Sequence, residues 1–576
     1  MRQHPSRARQ RRAAVFIASL AMLIVAGCAS PPSADTRNVG ARKASPGQRV
    51  AGCEALGARI GALTDTRILA IETIAASAES IGGQPIGEHC RLTGRLAERQ
   101  GPIDGLAYAI GFEMRLPANW NGRFWYQANG GIDGAVRPAL GDLGGGPVTS
   151  ALLQGFAVVS SDAGHDNKVT RGPGFGLDPQ ARLDYGYQTV GRLTPIAKQI
   201  VAAAYGRAPD TSYIGGCSNG GRHALVAASR YPEQFDGYLI GAPGYRLPLA
   251  AIANIFGAQQ YAKVATDPKD LSTAFTDEER RLVAARVVQS CDALDGLADG
   301  MIQDSQACQQ TFSLNRDVPT CVGARNGACL TSQQKASIGA VFAGATSGAG
   351  KPFYASFPYD AGLAGEGAKR WEFTAPLQLD SGAVGLIWAV PPADPKTFNG
   401  ARYVLDTPVD RLLDAVASTN ETYRESALSF MQPVEPDKLD ALRQRGAKML
   451  AYHGNSDAIF SVNDTRAWID ALDRHHQGQA ASFARLFPVP GMDHCRDGPS
   501  ADQFDVITPL VDWVEHGRAP ERIIAAVRGA GNPGGVNKEL PADWSATRTR
   551  PLCPHPKRAI YAGRGEVEQA GSFDCR

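Results

Sequence analysis

The sequence predicts an α/β fold, in which a mostly parallel, doubly wound sheet is interrupted by a large inserted lid. Apolar, strand-like runs alternate with helix-like segments, and this alternation is typical of a parallel sheet covered on both faces. The stretch 246–440 breaks the alternation with four cysteines, an aspartate cluster and long Gly- and Ala-rich loops. We therefore assign residues 51–245 and 441–576 to the core and 246–440 to the lid.

The expected core elements are short and well separated. The predicted strands are 123–127, 156–160, 212–215, 238–241, 448–453 and 483–489, and the helix-like segments include 194–205 and 221–230. In open α/β sheets the ligand site lies beyond the carboxyl ends of the parallel strands. We therefore look for functional side chains directly after these strands.

The overall composition is that of an ordinary globular protein. The 576 residues are 43% hydrophobic and 20% charged, with a formal net charge of +2. Such a balance indicates no nucleic-acid partner. We expect a monomer that acts on a small molecule.

The N-terminus has the pattern of an export signal. Arginines precede the apolar stretch 13–27, which is too short for a comfortable membrane span. Val25-Ala26-Gly27-Cys28 resembles the bacterial lipobox, which implies removal of residues 1–27 and lipidation of Cys28; a plain signal peptide is the alternative. Residues 28–50 form a flexible tether. We expect a lipoprotein on the periplasmic side or outer membrane of a Gram-negative bacterium, or a secreted protein, with membrane contact only through this lipid.

Ten cysteines remain after Cys28, an even number in a chain expected to be exported. Sequence alone does not fix their connectivity. Local spacing suggests the pairs Cys53–Cys90, Cys291–Cys308, Cys321–Cys329 and Cys553–Cys575, which leaves Cys217 and Cys495 for each other.

Ser218 is the candidate nucleophile. It lies in Gly216-Cys217-Ser218-Asn219-Gly220, directly after a predicted strand and before a predicted helix. This G-x-S-x-G context is the nucleophile elbow of the α/β-hydrolase fold, in which a strained strand-to-helix turn exposes the serine Oγ.

His494 is the candidate base, in a loop after the predicted strand 483–489. His165 is the competitor, but it precedes the serine, whereas the chain order of α/β-hydrolases is serine, acid, histidine. His453 is expected to be structural. A Cys217–Cys495 bridge would bring Ser218 and His494 together, since bridged Cα atoms lie about 5.5–6 Å apart.

Asp457 is the candidate acid, because it closely follows the predicted strand 448–453. Asp464, Asp470 and Asp473 follow at helical spacing, and we expect them, like the pair His475 and His476, to be solvated.

The oxyanion hole should use the backbone N–H of Asn219 and one from an early glycine loop. The loop Asn129-Gly130-Gly131-Ile132-Asp133-Gly134 follows a predicted strand. Gly131 is the preferred donor, Gly130 is the alternative, and a plain turn is the simpler interpretation.

The lid contains a candidate calcium site. The segment 291–301 has three aspartates and two glycines, and hard oxygen ligands favour Ca²⁺ over Zn²⁺. An acidic surface loop is the alternative. We expect a structural ion held by the side chains of Asp292, Asp295 and Asp299 and by the backbone oxygens of Leu297 and Met301.

These motifs together resemble the tannase and feruloyl esterase family of α/β-hydrolases. The resemblance extends over nearly all of the chain after the tether, and its motifs are the elbow at 216–222, the segments 231–237 and 241–243, the aspartate loop at 291–301 and the histidine loop at 491–495. It implies a cysteine bridge beside the serine and histidine, and calcium bound by residues 292, 295, 297, 299 and 301.

One family member shares further stretches at 176–184 and 549–554. That likeness implies that Phe460 wedges the substrate ring and that Trp388 lies near an aromatic clamp. The chain departs from that member at Gly382 or Ala383, which stands where the member has a lid arginine that holds a substrate carboxylate. It departs also at Gly130, which replaces a serine beside the oxyanion glycine, and at Asn219, which replaces an acid after the nucleophile.

The sequence therefore predicts a serine carboxylesterase of aromatic acid esters, feruloyl or hydroxycinnamoyl esters or related monoesters, with an acyl-enzyme intermediate and no organic cofactor. The alternatives are a tannase acting on galloyl esters, a terephthalate monoester hydrolase, and a surface lipoprotein that binds aromatic ligands without catalysis.

Overall fold

A nine-stranded sheet forms the centre of the part of the chain that the computed structural model describes, which is residues 43–143, 149–267 and 269–576. Its strands are β1 (Thr66–Ile74), β2 (His89–Gln100), β3 (Ala107–Pro117), β4 (Arg123–Gln127), β5 (Ala157–Ser161), β6 (Thr211–Cys217), β7 (Gly237–Gly241), β8 (Lys448–Gly454) and β9 (Ala484–Val489).

The strand order is β9-β8-β7-β6-β4-β5-β3-β2-β1. Strands β4 to β9 pair in parallel, and β1 to β3 join the β5 edge as antiparallel strands. The prediction of a mostly parallel α/β-hydrolase sheet is confirmed, and the six predicted strands correspond to β4–β9. Sequence reasoning missed β1–β3, because these strands follow one another without the intervening helices on which the prediction depended.

Helices cover both faces of the sheet. The helices of eight or more residues are α1 (Cys53–Ile60), α2 (Thr189–Tyr205), α3 (Asn219–Arg230), α4 (Leu247–Ala262), α5 (Asp277–Cys291), α6 (Ser332–Phe342), α7 (Val409–Ala417), α8 (Val462–His475) and α9 (Ile507–His516). Alternate side chains of β4 point to opposite faces: Phe124 and Tyr126 pack in the apolar cluster that contains α2, α3 and α8, and Trp125 packs in the cluster that contains α9.

Shorter elements complete the described chain. Short helices and helical turns are Asn167–Thr170, Pro173–Leu177, Pro179–Leu183, Asp184–Gln188, Leu271–Ala274, Asp292–Asp295, Ser305–Thr311, Leu314–Asp317, Ala361–Ala364, Glu366–Lys369, Arg370–Thr374, Pro376–Asp380, Ala383–Trp388, Gly400–Asp406, Ala427–Phe430, Asp440–Arg445, Ala480–Ser482 and Ala570–Ser572. Short strands are Gly47–Gln48, Ser80–Ile81, Gln84–Pro85, Asn119–Trp120, Gln503–Phe504, Ile523–Ala526, Thr549–Leu552, Ala559–Tyr561 and Phe573–Cys575.

The lid is inserted between two neighbouring strands. Strands β7 and β8 are hydrogen-bonded in parallel, with Gly237 opposite Lys448, so the intervening chain leaves the sheet and returns beside its starting point. Helices α4–α7 of this insertion contribute to a separate apolar cluster. Core and lid pack into one compact unit, and the boundaries at 246 and 440 stay a prediction.

Disulfides connect distant parts of the described chain. The predicted pairs are all formed: Cys53–Cys90, Cys217–Cys495, Cys291–Cys308, Cys321–Cys329 and Cys553–Cys575. The predicted signal peptide 1–27, Cys28 and residues 28–42 of the tether lie outside the described residues. Within the described ranges, no helix combines the length and the apolar character needed to cross a membrane.

Candidate active site

Ser218 occupies a strained turn between β6 and α3. Its backbone has φ 64° and ψ −129°, a left-handed conformation that is costly for a side chain other than glycine. The flanking glycines permit the turn, because a Cβ at Gly216 or Gly220 would collide with the carbonyl oxygen of Ala128. The G-x-S-x-G sequence thus folds into the geometry of a nucleophile elbow.

His494 and Asp457 are hydrogen-bonded to each other. The Nδ1 atom of His494 lies 2.7 Å from Oδ2 of Asp457, and the side chains are 4% and 0% exposed. Among the described residues, the Nε2 atom of His494 is buried without a hydrogen-bond partner. Nδ1 therefore carries the proton that Asp457 accepts, and Nε2 is left as a free base.

Ser218 and His494 line the same cavity without a hydrogen bond between their side chains in the described structure. Such bonds are often long in unliganded enzymes and tighten with bound substrate. The Cys217–Cys495 disulfide, with Cα atoms 6.1 Å apart, holds the two residues on adjacent backbone segments.

A second imidazole contacts the same carboxylate. The Nε2 atom of His453 lies 3.2 Å from Oδ2 of Asp457 and 2.9 Å from the carbonyl oxygen of Phe460. Burial alone would raise the pKa of Asp457, but His494 and His453 hold that pKa well below its usual range. Asp457 is therefore an anion at neutral pH. Sequence reasoning treated His453 as structural and missed this contact.

Two backbone N–H groups fix the orientation of the Asp457 carboxylate. Its Oδ1 atom accepts hydrogen bonds from the backbone N–H groups of Ile459 and Phe460, at 3.0 and 2.9 Å. The neighbouring carboxyl of Asp493 differs, because burial and the charge of Asp457 raise its pKa well above the usual range. One negative charge, that of Asp457, thus faces the imidazole of His494.

The predicted oxyanion loop lies beside the elbow. A Cβ placed on Gly130 would lie 3.6 Å from the Ser218 Cβ, and Gly131 has φ +68°. Nδ2 of Asn219 donates to the Asp133 carboxylate at 2.6 Å, which ties this loop to the start of α3. Gly130, Gly131 and Asn219 all line the cavity that contains Ser218.

Aromatic side chains surround the cavity, whose volume is about 690 Å³. Phe460 and Trp371 both meet the His494 ring edge-on, with ring centroids 5.2 and 5.0 Å away. Trp388 is 1% exposed and also lines the cavity, so the structure brings both predicted substrate-binding aromatics, Phe460 and Trp388, to the site. Trp371 was missed because no sequence motif marks it.

The competing side chains have other partners. His165 is buried, stacks on Phe175 and contacts the carbonyl oxygen of Ile132 at 3.1 Å. The expectation that Asp464 is solvated was wrong, because Asp464 is buried and accepts a hydrogen bond from Arg246 Nε at 2.9 Å. The same expectation was wrong for His476, which is buried between Arg443 and the carbonyl oxygen of Lys438.

The aspartate loop of the lid follows α5. Asp292 accepts hydrogen bonds from the N–H groups of Asp299 and Gly300, and Asp299 also contacts Arg550. The Oδ2 atom of Asp295 is buried without a hydrogen-bond partner among the described residues, and burial raises the pKa of this carboxyl to about 7. A buried carboxylate oxygen that lacks a hydrogen-bond partner and lies in a loop of oxygen ligands fits a Ca²⁺ ion.

The three aspartates do not converge closely in this structure. Among the described residues, the one group of three such side chains whose ligand atoms all lie within 4.8 Å of one another is Asp440, His475 and His476. His476 is already hydrogen-bonded through both ring nitrogens. The calcium site at Asp292, Asp295, Leu297, Asp299 and Met301 stays a prediction.

Comparison with known proteins agrees with the geometry. Residues 90–576 match the family model described as tannase and feruloyl esterase. The chain is 39% identical over 570 residues to the mono(2-hydroxyethyl) terephthalate hydrolase of Piscinibacter sakaiensis, and the alignment covers 91% of each chain.

Solved structures show the same fold at lower identity. Feruloyl esterase B from Aspergillus oryzae matches with a TM-score of 0.72 and 23% identity, covering 91% of this chain and 99% of its own. A tannin acyl hydrolase from Aspergillus niger matches with a TM-score of 0.67 and 18% identity, covering 91% and 94%.

Proposed function

Since the chain belongs to the tannase and feruloyl esterase family of carboxylic ester hydrolases, we propose that it is an exported serine esterase that cleaves esters of aromatic acids. The observation that carries the proposal is the hydrogen bond of 2.7 Å between His494 and Asp457, with the free Nε2 of His494 in the same cavity as Ser218. Phe460, Trp371 and Trp388 give that cavity an aromatic lining suited to an aromatic acyl group.

In the proposed reaction, Ser218 Oγ attacks the ester carbonyl carbon while His494 Nε2 accepts the hydroxyl proton. Asp457 holds the Nδ1 proton of the imidazolium and stabilises its charge. The backbone N–H groups of Asn219 and Gly131 donate to the oxyanion. His494 then gives its proton to the leaving alcohol, and a water molecule cleaves the acyl-enzyme by the same steps.

Export and calcium belong to the same proposal. Disulfides persist in proteins outside the cytosol, and five of them are present in the described chain. A lipid on Cys28 would anchor the protein. A calcium ion on Asp292, Asp295 and Asp299 would neutralise the lid loop that Cys291–Cys308 closes, so its role is structural and it takes no part in ester cleavage.

The test is hydrolysis by the purified protein of methyl ferulate, methyl gallate and a terephthalate monoester. We expect turnover that Ser218→Ala abolishes. Ser482→Ala, which changes an exposed serine outside the cavity, should keep the wild-type rate. Absence of turnover on every ester, or equal rates for Ser218→Ala and wild type, would refute the proposal and favour a non-catalytic binder of aromatic ligands.

A further inference from the structure

The predicted oxyanion loop contains a buried carboxylate that does not border the cavity. Asp133 lies two residues after Gly131, its side chain is 3% exposed, and it is not among the described residues that line the cavity. Its backbone has φ 34°, in the left-handed region that is costly for a residue other than glycine. Such a conformation persists only where the surrounding contacts fix the residue.

The side chain of Asp133 contacts the first two turns of α3. Its Oδ1 atom accepts a hydrogen bond from Asn219 Nδ2 at 2.6 Å, and its Oδ2 atom lies 3.4 Å from Nε2 of His223. Asn219 and His223 are four residues apart, so they lie on the same face of the helix. Each carboxylate oxygen thus faces a side chain of the helix whose first N–H belongs to the proposed oxyanion hole.

The side chain of Asn219 is fixed at both ends. Its Oδ1 atom accepts a hydrogen bond from Arg222 Nε at 2.6 Å, while Nδ2 donates to Asp133. Arg222 is buried and donates to the carbonyl oxygens of Tyr185 and Gly186, at 3.1 and 2.7 Å. The Asn219 amide therefore has one orientation, because its oxygen faces a guanidinium, which only donates, and its nitrogen faces a carboxylate, which only accepts.

The backbone of the oxyanion loop is held through its carbonyl groups. Three successive carbonyl oxygens each contact a polar side chain: Tyr185 Oη at 3.4 Å from Gly131, His165 Nε2 at 3.1 Å from Ile132 and Asn167 Nδ2 at 3.0 Å from Asp133. These contacts fix the orientation of the peptide groups in the loop. The carboxylate of Asp133 joins the oriented loop to α3.

We infer that Asp133 is a positioning residue of the oxyanion hole, and that its hydrogen bond to the Asn219 side chain sets the separation of the Gly131 and Asn219 N–H groups. The inference rests on the proposed function, because it assigns the support of the two donors that the proposed reaction uses. Donors held in place stabilise the transition state without reorganisation. Their fixed separation therefore affects turnover more than it affects binding of the substrate in its ground state.

Charge explains why an amide suits position 219. An acidic side chain there would face the Asp133 carboxylate, and two carboxylates at hydrogen-bond distance disfavour each other's ionised form. When the two side chains are exchanged, the amide at position 133 can donate to the carboxylate at position 219, which still accepts from Arg222. The exchange therefore re-forms a hydrogen bond that the single change at 219 removes.

The experiment measures kcat, KM and Tm with methyl ferulate as substrate for Asp133→Ala, Asn219→Asp and the exchange variant Asp133→Asn/Asn219→Asp. We expect each single variant to lower kcat by about tenfold to hundredfold, about the cost of a small misplacement of a catalytic group. KM should change by less than about threefold. The exchange variant should recover most of the kcat that Asn219→Asp loses, since the two positions are coupled through one hydrogen bond.

The matched control is Asp65→Ala. Asp65 also has a left-handed backbone, with φ 50°, but its side chain is 61% exposed and it lies outside the described lining of the cavity. Its kcat should stay within about twofold of the wild type.

Three results would overturn the inference: a wild-type kcat in Asp133→Ala, a loss in that variant that falls equally on KM, or an exchange variant no faster than Asn219→Asp. If Asp133→Ala does not fold, the decision passes to the other two variants, of which the exchange variant must be the faster. Failure of the proposed function looks different, because the wild type would then cleave no aromatic ester.

Discussion

Cys217 and Cys495 are bonded to each other, with their Cα atoms 6.1 Å apart, although 278 residues separate them in the chain. Each is the direct neighbour of a residue of the proposed triad, Ser218 on one side and His494 on the other. The lid lies between the two cysteines in sequence. The disulfide therefore fixes the distance between two backbone segments that the lid separates along the chain.

Removing this bond should cost both stability and activity. We expect Cys217→Ala/Cys495→Ala to lower stability by about 2–5 kcal/mol and kcat by about a hundredfold, since nucleophile and base lose their fixed separation. Removing the small-loop bond Cys321–Cys329, whose cysteines are 8 residues apart in the lid, should leave kcat close to wild type. Thermal unfolding and initial rates measure both effects; full activity in the first double variant would contradict the role given to this disulfide.

Replacing the acid should disable His494 without changing the fold. In Asp457→Asn the acceptor for the Nδ1 proton is lost, and we expect kcat to fall by about a thousandfold or more. In Asp470→Asn, at an exposed position of α8, kcat should fall by less than about twofold. Steady-state kinetics on one aromatic ester separates the two variants, and similar losses in both would remove Asp457 from the mechanism.

His453 should act through Asp457 and Phe460. Its Nε2 contacts the Asp457 carboxylate and the Phe460 carbonyl oxygen, so His453→Phe loosens both the acid and an aromatic wall of the cavity. We expect a tenfold to hundredfold lower kcat, about the cost of a small misplacement of a catalytic group. His453→Gln, which keeps an N–H donor, should recover part of the loss, and His516→Gln at a helix end should lose nothing. A wild-type kcat in His453→Phe would contradict this role.

Calcium should stabilise the lid. The buried Oδ2 of Asp295 has no hydrogen-bond partner in the described chain, and a bound cation would compensate it. We expect saturating Ca²⁺ to raise Tm by about 1–3 °C over protein treated with chelator. Asp295→Asn should abolish this rise, and Asp440→Asn, which changes the exposed aspartate of the group with His475 and His476, should keep it. An unchanged wild-type Tm would argue against the ion.

Asp380 should make stability depend on pH in a defined direction. Burial raises its pKa to about 8 in the folded protein, whereas an unfolded chain has the ordinary value of about 3.9. The folded state therefore binds this proton more tightly, and the carboxyl costs stability progressively as pH rises between those two values. We expect the Tm of Asp380→Asn minus that of the wild type to increase from about pH 5 to about pH 9. A difference that is flat or decreases would contradict a buried neutral carboxyl.

Much of the architecture was readable from the sequence because its signals are local. Each apolar run between helices became one of β4–β9, and the G-x-S-x-G pentapeptide needs only its neighbours to form the elbow. The pairing of cysteines followed from spacing because four pairs close short or moderate loops. The order of serine, acid and histidine then selected His494 and Asp457.

The remaining features depend on tertiary packing. Trp371 and Asp380 of the lid stand in no motif, and they line the cavity because the lid packs against the core. His453 of β8 also stands in no motif, and its contacts with Asp457 and Phe460 become visible only in the folded chain. Asp464 looked solvated by its helical spacing, yet Arg246 from the lid side pairs with it. Side chains whose partners come from distant segments give no periodic signal along the chain.

In the proposed mechanism Ser218 Oγ is the nucleophile and His494 activates it. The most direct measurement is the intact mass of the wild type, Ser218→Ala and Ser482→Ala after reaction with a fluorophosphonate, followed by peptide mapping. We expect one covalent adduct per chain, located on Ser218, in the wild type and in Ser482→Ala, and none in Ser218→Ala. An adduct that persists in Ser218→Ala, or a wild type that takes up no label while it hydrolyses aromatic esters, would contradict this mechanism.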